Sequence, residues 1–596
     1  MALPPIYRIH PAIGIARVGD ADRDKFFIGP ELAGRGPTGD KAVGTVVPDF
    51  KASGKVKPQA ARFRIWEYVE KKGKYEPSRE INLDEKDCVS LSWTVHLANR
   101  KASFFKFEEL AGEERPQPTG SRRNSAVIDR RKLELDPLPR TITGPSAKPV
   151  EFRKGKSSNP AKELWPDPAP SPPIEYLGEL RTDAQGRLIV LSGMGKASGL
   201  AGVPLTTHFN NDGWFDDVSD GPVTATLTLR GSDKKSKVVP VAGAWVLCGP
   251  PDFAPSIANQ VTLYDVLYDV AAREMVLPTN EALYDATLKP LADISAEFKA
   301  SSGPKLSKYK PTFDTEIFPI LRRAWEHVFV VEILKTPPFH NSLIVYTKLG
   351  DPSAASEKER KAVFSRIHPP GLAGKGGRTT NMPMQQGDEH GNNAHKRRAL
   401  TVTETQYALL EQWAKGNFVA SAGTFPPPPP PATVSPDGLD RAALENCVGG
   451  AFDVGIEVSW QIRNKKLYVA PFRIDHKASS QYLGESGVLV RAGHFSRQMA
   501  VPWQTDFLDC RLDGGMAWWP AQRPDITYAS KADFDATPKK SQNWARASSG
   551  GVTGNWPSGR AIPTREEFIA NAFKLGIVRE DPRGYHVEKE RDPNVP

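Results

Sequence analysis

Ile6–Ala21 reads IYRIHPAIGIARVGDA. Apolar residues alternate along it from Ile6 to Val18, as in a strand entering a sheet. The same period of two returns in ARFRIWEYVEK (61–71) and CVSLSWTVHLAN (88–99), while RLIVLSG (187–193), VTATLTL (223–229) and AGAWVLCG (242–249) read as further strands. SLIVYTK (342–348) and GIEVSWQIR (455–463) also read as strands. Helical patterns lie between and after them. VTLYDVLYDVAAREM (261–275) is amphipathic, and EIFPILRRAWEHVF (316–329) follows. From Glu404 to Lys415, Thr403 can cap a helix whose Tyr407, Leu410 and Trp413 recur on one face. GLDRAALENCVGG (438–450) reads as a short helix ending at its glycines. In PTREEFIANAFKLGIV (563–578) Thr564 and Glu567 form a capping box, Phe568, Ile569, Ala572 and Phe573 an apolar face, and Gly576 a stop. The pattern predicts an α+β, β-rich fold, a large multi-sheet body with scattered short helices and long irregular loops. Three parts suggest themselves: a β-rich part over 1–265, a mixed α/β part over 266–425, and a C-terminal part over 432–596.

Composition agrees. The 596 residues are 39% hydrophobic and 25% charged, enough for a sizeable core. Pro (54) and Gly (49) are abundant, so loops are many and long helices few. A net charge of +9 is mild at this length, and no Lys/Arg block reads as a nucleic-acid arm. MALPPIYRIHPAIGIARVGD carries no signal peptide, and no apolar run spans a bilayer, so a cytoplasmic protein is the expectation. Cys88, Cys248, Cys447 and Cys510 are widely spaced and make neither a disulfide framework nor a zinc pattern.

Several stretches invite a function and do not sustain it. Gly193, Gly195 and Gly199 miss the dinucleotide spacing. Asp212, Asp216, Asp217 and Asp220 hint at calcium, but their spacing is not that of an EF-hand, and turn and cap duties explain them. Asp388, His390 and His395 match no standard metal site, so a polar loop is expected and no metal ligand is assigned. Residues 112–175 read as irregular surface, and Pro426–Pro431 as a stiff spacer. No flavin, NAD, haem, ATP or zinc signature is present. A reactive group would have to come from scattered side chains or a modified residue.

One stretch concentrates such side chains: MAVPWQTDFLDCRLDGGMAWWPAQRPD, residues 499–525. It holds Cys510, with Asp506 four residues earlier, the indoles of Trp503, Trp518 and Trp519, and the charges of Arg511 and Arg523. Grouping a thiol, rings and charges is costly unless they form a buried or half-buried site. A Trp-packed loop with one core cysteine reads equally well from composition.

Together with IYRIHPAIGIARVGDA, FNNDGWFDDVSDGPVTA, GPPDFAPSI, TLYDVLYD, MPMQQGD, LTVTETQYALLEQWAKGNF, ENCVGGAFDVGIEVSW and VEKERDP, this stretch resembles the LodA-like quinoprotein amino-acid oxidases, in the same order from end to end. The resemblance implies oxidative deamination of an amino acid by dioxygen, giving hydrogen peroxide and ammonia. It implies a cysteine tryptophylquinone cofactor, a small amino-acid or amine substrate, and a flavoprotein maturase that builds the quinone. Nucleic acid and membrane partners are not implied, and there is room for a homo-oligomer. Carried over residue by residue, the crosslinking cysteine is Cys510, the acid needed for quinone formation is Asp506, and a cysteine near the substrate tunnel is Cys447.

The chain departs from the family at the quinone tryptophan. Its place, just before the terminal Leu-Gly, reads NAFKLGIV and offers Ala572 or Phe573. Either another indole, Trp544 or Trp556, is recruited, or the chain is a family member that lacks the cofactor and acts as a non-quinone enzyme or binding protein. Asp453, in AFDVGIE, puts a second departure, a charge, near the pocket. The placement predicts that Phe573 lies close to Cys510, with the helices at 404–415 and 565–575 packed near that segment.

Overall fold

The computed structural model describes residues 3–39, 45, 47–106, 121–277, 288–301, 303–331, 346–370, 382, 385, 400–423, 433–449, 460–479, 489–509, 518–545 and 564–593. The opening run forms two strands, β1 (Ile6–His10) and β2 (Ile13–Arg17). Pro11, with no amide N–H to give a ladder, separates them. β1 pairs antiparallel with β3 (Gln59–Lys71), whereas β2 runs parallel to a much later strand. β4 (Lys74–Ile81) also pairs with β3, and β5 is Cys88–Val95.

Residues 112–175 depart from the sequence expectation. Within them β6 (Arg140–Thr143) and β7 (Val150–Arg153) join the large sheet, and Leu135 and Phe152 are fully buried. The isolated apolar residues of a Pro- and Arg-rich run were enough to enter the core. β8 (Tyr176–Thr182), β9 (Leu188–Ser192), β10 (Ser219–Arg230) and β11 (Ala244–Gly249) complete the main path. Among the described residues the sheet has fourteen strands, with the path β7-β8-β9-β3-β2-β11-β10-β5-β6.

β2 and β11 lie at the centre of that path, side by side and parallel, and both are buried along their whole length. Strands covered on both faces read as nearly continuous apolar runs. Ile13, Ile15, Trp245 and Leu247 point into one apolar cluster, and Ala16, Val246 and Cys248 into another on the opposite face. The first cluster joins the sheet to the C-terminal residues, including Cys447, Trp503, Phe507, Trp544 and Phe568.

The helices follow their caps. Thr262 forms a capping box with Asp265 at the start of α1 (Leu263–Glu274). α2 is Lys289–Ala300, and α3 (Phe318–Glu326) continues a π-helical turn, Phe313–Ile317. α4 is Glu357–Phe364, and α5 (Glu404–Ala414) starts at a Thr403–Gln406 box. Ser435 caps α6 (Pro436–Glu445). α7 is Trp503–Asp509, and Thr564 caps α8 (Arg565–Asn571). Tyr346–Leu349 and Trp460–Arg463 are helical turns instead of strand, and the rest of those two predicted strands lies outside the described residues. Among the described residues no helix is long and apolar enough to cross a membrane.

Candidate functional site

α7 carries Asp506 and Trp503, and three distant segments fix it. Its first turn has backbone amides without intrahelical partners. The amide of Trp503 donates to Asp216 Oδ2 at 3.1 Å, across 287 residues of sequence. The loop before β10 grips the same end: Val501 N–H donates to Phe209 O at 3.0 Å, and Thr505 Oγ1 donates to His208 O at 2.7 Å. Gln504 Nε2 donates to Gly195 O at 2.9 Å.

The acids at 212–220 are the residues that local reading undervalued. Asp212 lies in a turn, but its carboxylate accepts the Asn124 amide from 88 residues away. Trp214–Asp216 and Ser219–Arg230 are strands, and Asp216, Asp217 and Asp220 are buried. Asp216 pairs with Lys101 at 2.6 Å, both side chains being wholly inaccessible, and accepts from Asn99 Nδ2 at 2.9 Å. Burial pulls the Lys101 ammonium below its usual range, and Asp216 opposes that pull. Asp220 accepts from Trp245 Nε1 at 2.9 Å and from the Ser496 amide and hydroxyl at 2.8 and 2.6 Å. Burial lifts its carboxyl above the usual range against those bonds. Asp217 accepts the Met194 amide, and burial raises its carboxyl to about 7. A signal was present in the sequence: acids interleaved with Phe215 and Val218 in a run that leads into a strand.

Phe573 closes the site from the C-terminal side. α8 ends at Asn571, and a 3-10 turn over Ala572–Lys574 carries the ring. It meets Trp503 edge to face, the centroids 6.0 Å apart at 65°. Phe507 stands 5.0 Å from Trp503 and 5.2 Å from Trp519. Gly195, at φ +72°, lies so close that a Cβ there would come within 2.0 Å of the Phe573 ring. The expected packing of 565–575 near this segment therefore holds for α8 against α7. The expected packing of 404–415 does not: α5 belongs to a separate apolar cluster with α1 and α4. Its Leu410 and Trp413 face those helices, and the match of period alone could not say which partner they face.

The remaining assigned residues divide. Asp506 is fully buried. Cys447 is fully buried just after α6, its carbonyl accepting the Leu263 amide at 2.9 Å, in the same apolar cluster as Trp503 and Phe507. Trp544 is fully buried, 4.7 Å from Phe253, and its Nε1 donates to Gly576 O at 2.8 Å. Cys510, Trp556, Asp453, Asp388, His390, His395 and Pro426–Pro431 lie outside the described residues, so the separation of Phe573 from Cys510 does too. Among the described residues no cluster of His, Cys, Asp and Glu could hold a metal ion.

The tryptophylquinone implied by the resemblance needs an indole, and a phenyl ring at residue 573 cannot supply one. Trp503, in ring contact with Phe573, is the nearest described indole on α7, and its buried Nε1 has no hydrogen-bond partner among the described residues.

Two family models match the chain: L-lysine epsilon oxidase N-terminal over residues 10–248, and L-lysine epsilon oxidase C-terminal domain over residues 383–540. The chain is 29% identical to the L-lysine 6-oxidase of Marinomonas mediterranea, over 94% of its own length and 77% of that protein. A solved structure of the L-Lys epsilon-oxidase from that organism, as its Schiff base intermediate with L-Lys, matches with a TM-score of 0.76 at 25% identity, covering 98% of this chain and 95% of that one. A second structure of the same enzyme matches with a TM-score of 0.75 at 25% identity, covering 98% and 94%. With both halves matched in order and the fold shared from end to end, the chain belongs to the L-lysine epsilon-oxidase family.

Proposed function

We propose that the protein is an amino-acid oxidase. It takes two electrons and two protons from an amine, one proton from the amine-bearing carbon and one from the nitrogen, and passes them to dioxygen. Water then replaces the nitrogen, and the products are a carbonyl compound, ammonia and hydrogen peroxide. The observation that carries this reading is the match of both family halves along one chain that keeps the fold of a solved oxidase over 98% of its length. We assign Asp506 and Cys510 to the reactive centre and Cys447 to its approach.

A quinone, where formed, supplies an electrophilic carbonyl and a two-electron sink. With Phe573 in the family tryptophan's place, its ring must come from elsewhere in the chain. Trp503, Trp544 and Trp556 are the candidate indoles; the bond from Trp544 Nε1–H to Gly576 O uses a group that quinone formation leaves intact. The walls named above do the rest of the work. Trp503, Phe507 and Phe573 exclude water, and the Lys101–Asp216 pair holds the helix that carries Asp506.

The test is one preparation read twice, expressed with and without a flavoprotein maturase. Peroxide and ammonia release is measured across the protein amino acids, L-lysine first. Intact mass and peptide mapping then find the residue joined to Cys510. The proposal expects peroxide with one amino acid and a crosslinked Cys510–Trp peptide. A mass equal to that of the bare chain, with no peroxide from any amino acid, overturns it.

A further inference from the structure

Away from α7, helices α1, α2, α3, α5 and α6 enclose a cavity of about 510 Å³. That is the size of a small-molecule site. Trp503, Asp506 and Phe573 do not line it. Glu316 does, and it sits on the π-helical turn Phe313–Ile317. Such turns are rare and are found frequently at functional sites. Glu316 accepts from Tyr309 OH at 2.7 Å and from the Thr312 amide at 2.8 Å, and it has no ion-pair partner among the described residues. Burial lifts its carboxyl above the usual range.

The neighbouring cations are committed. Among the described residues four arginines line the cavity: Arg441 Nε donates to Glu445 at 2.7 Å and its guanidinium lies over the Tyr264 ring, Arg323 pairs with Asp265, Arg473 donates to Gly243 O and Ile9 O, and Arg8 lies over the Tyr68 ring. Two further groups face the same space. Tyr264 and Tyr268 line the cavity, their rings 5.7 Å apart, and neither hydroxyl has a hydrogen-bond partner among the described residues. Glu316 is near enough to act on the Tyr268 hydroxyl electrostatically. A phenol can both give and accept a hydrogen bond. The rest of the wall includes Leu291, Ile320, Leu409 and Phe472.

A half-buried carboxylate with no ion-pair contact, two phenol hydroxyls with no hydrogen-bond partner among the described residues and an apolar wall suit one kind of occupant. We propose that this cavity binds a primary alkylammonium ion, its charge beside Glu316 and the hydroxyls of Tyr264 and Tyr268, its carbon stem against Leu291, Ile320, Leu409 and Phe472. No described residue of α7 lines the cavity, and the proposal does not depend on the oxidase reading. An aromatic face and a carboxylate together attract an organic cation more strongly than either alone.

The probe is tert-butylammonium chloride, a primary ammonium whose amine-bearing carbon has no hydrogen to lose. Isothermal titration calorimetry on the full chain then reads binding apart from any oxidation. Saturable binding is expected, weakened roughly tenfold or more in Glu316→Gln and for tert-butanol, which has nearly the same shape without the charge. Thr315, exposed on the same turn and lining the cavity, gives a second variant whose folding is less at risk. Thr315→Lys places a competing ammonium beside Glu316 and is expected to abolish binding. Wild-type affinity in either folded variant, equal binding of the alcohol, or no saturable heat up to roughly 10 mM ligand overturns the proposal.

Discussion

The α7 site and the helical cavity each bring aromatic rings to a carboxylate, and they differ in what satisfies it. At α7, Asp216 is held by Lys101, Asn99 and the Trp503 amide, and Asp220 by Trp245, Phe495 and Ser496. These donors are fixed parts of the protein. In the cavity, Glu316 has two neutral donors and no cation, and the nearby phenols keep unspent hydrogen bonds. The first arrangement fixes the position of a helix, and the second leaves something for a ligand to complete. Buried charge is costly, so each carboxylate needs its own account.

Removing Lys101 is the strongest way to break this contrast. Lys101→Met leaves Asp216 buried without its cation, and breaking such a pair costs about 3–5 kcal/mol. Denaturant unfolding measures it. Lys101→Met with Asp216→Asn is expected to recover most of the loss, because no uncompensated charge then remains. Equal stability of wild type and the single variant would mean that the pair does not hold α7. Glu316→Gln is expected to change stability far less, since Glu316 has no ion-pair partner among the described residues and its two donors are neutral.

Gly195 is the next largest effect. A Cβ there meets the Phe573 ring at 2.0 Å on a backbone at φ +72°. Gly195→Ala is expected to cost about 2–3 kcal/mol through overpacking and backbone strain. Gly195→Ala with Phe573→Leu should recover the packing share and keep the strain. Full additivity of the two substitutions would separate Phe573 from the wall of the site.

How much of this was legible depends on the range of each interaction. The strands at 61–71 and 88–99 follow from period two, and Thr403 and Thr564 announce their helices because a cap acts within three residues. The end-to-end order of motifs gave the family. Local sequence could not show that Asp216 would cap a helix 287 residues later, or that the glycine at 195 makes room for a ring at 573. The segment 140–153 was misread as surface because four-residue strands carry too few alternations to register. Glu316 went unremarked because its turn reads as ordinary helix, and the missing cation is visible only in three dimensions.

Asp217 sharpens the comparison from within the segment that carries Asp216: it has no ion-pair partner among the described residues and accepts from backbone amides, among them that of Met194. Its Oδ1 has no hydrogen-bond partner among the described residues. The carboxyl ionises near 3.8 in an unfolded chain and near 7 in the folded one. Between those values the folded form binds more protons than the unfolded form, so stability falls as pH rises across that window and is level on either side. Asp217→Asn cannot ionise, and it keeps an oxygen to accept the Met194 amide. Its advantage over wild type should be absent below the lower value, grow through the window and approach about 4 kcal/mol above pH 7. Urea unfolding at a series of pH values reads it directly. Parallel curves for the two proteins would mean that Asp217 is not protonated in the folded chain, and its likeness to Glu316 would be lost.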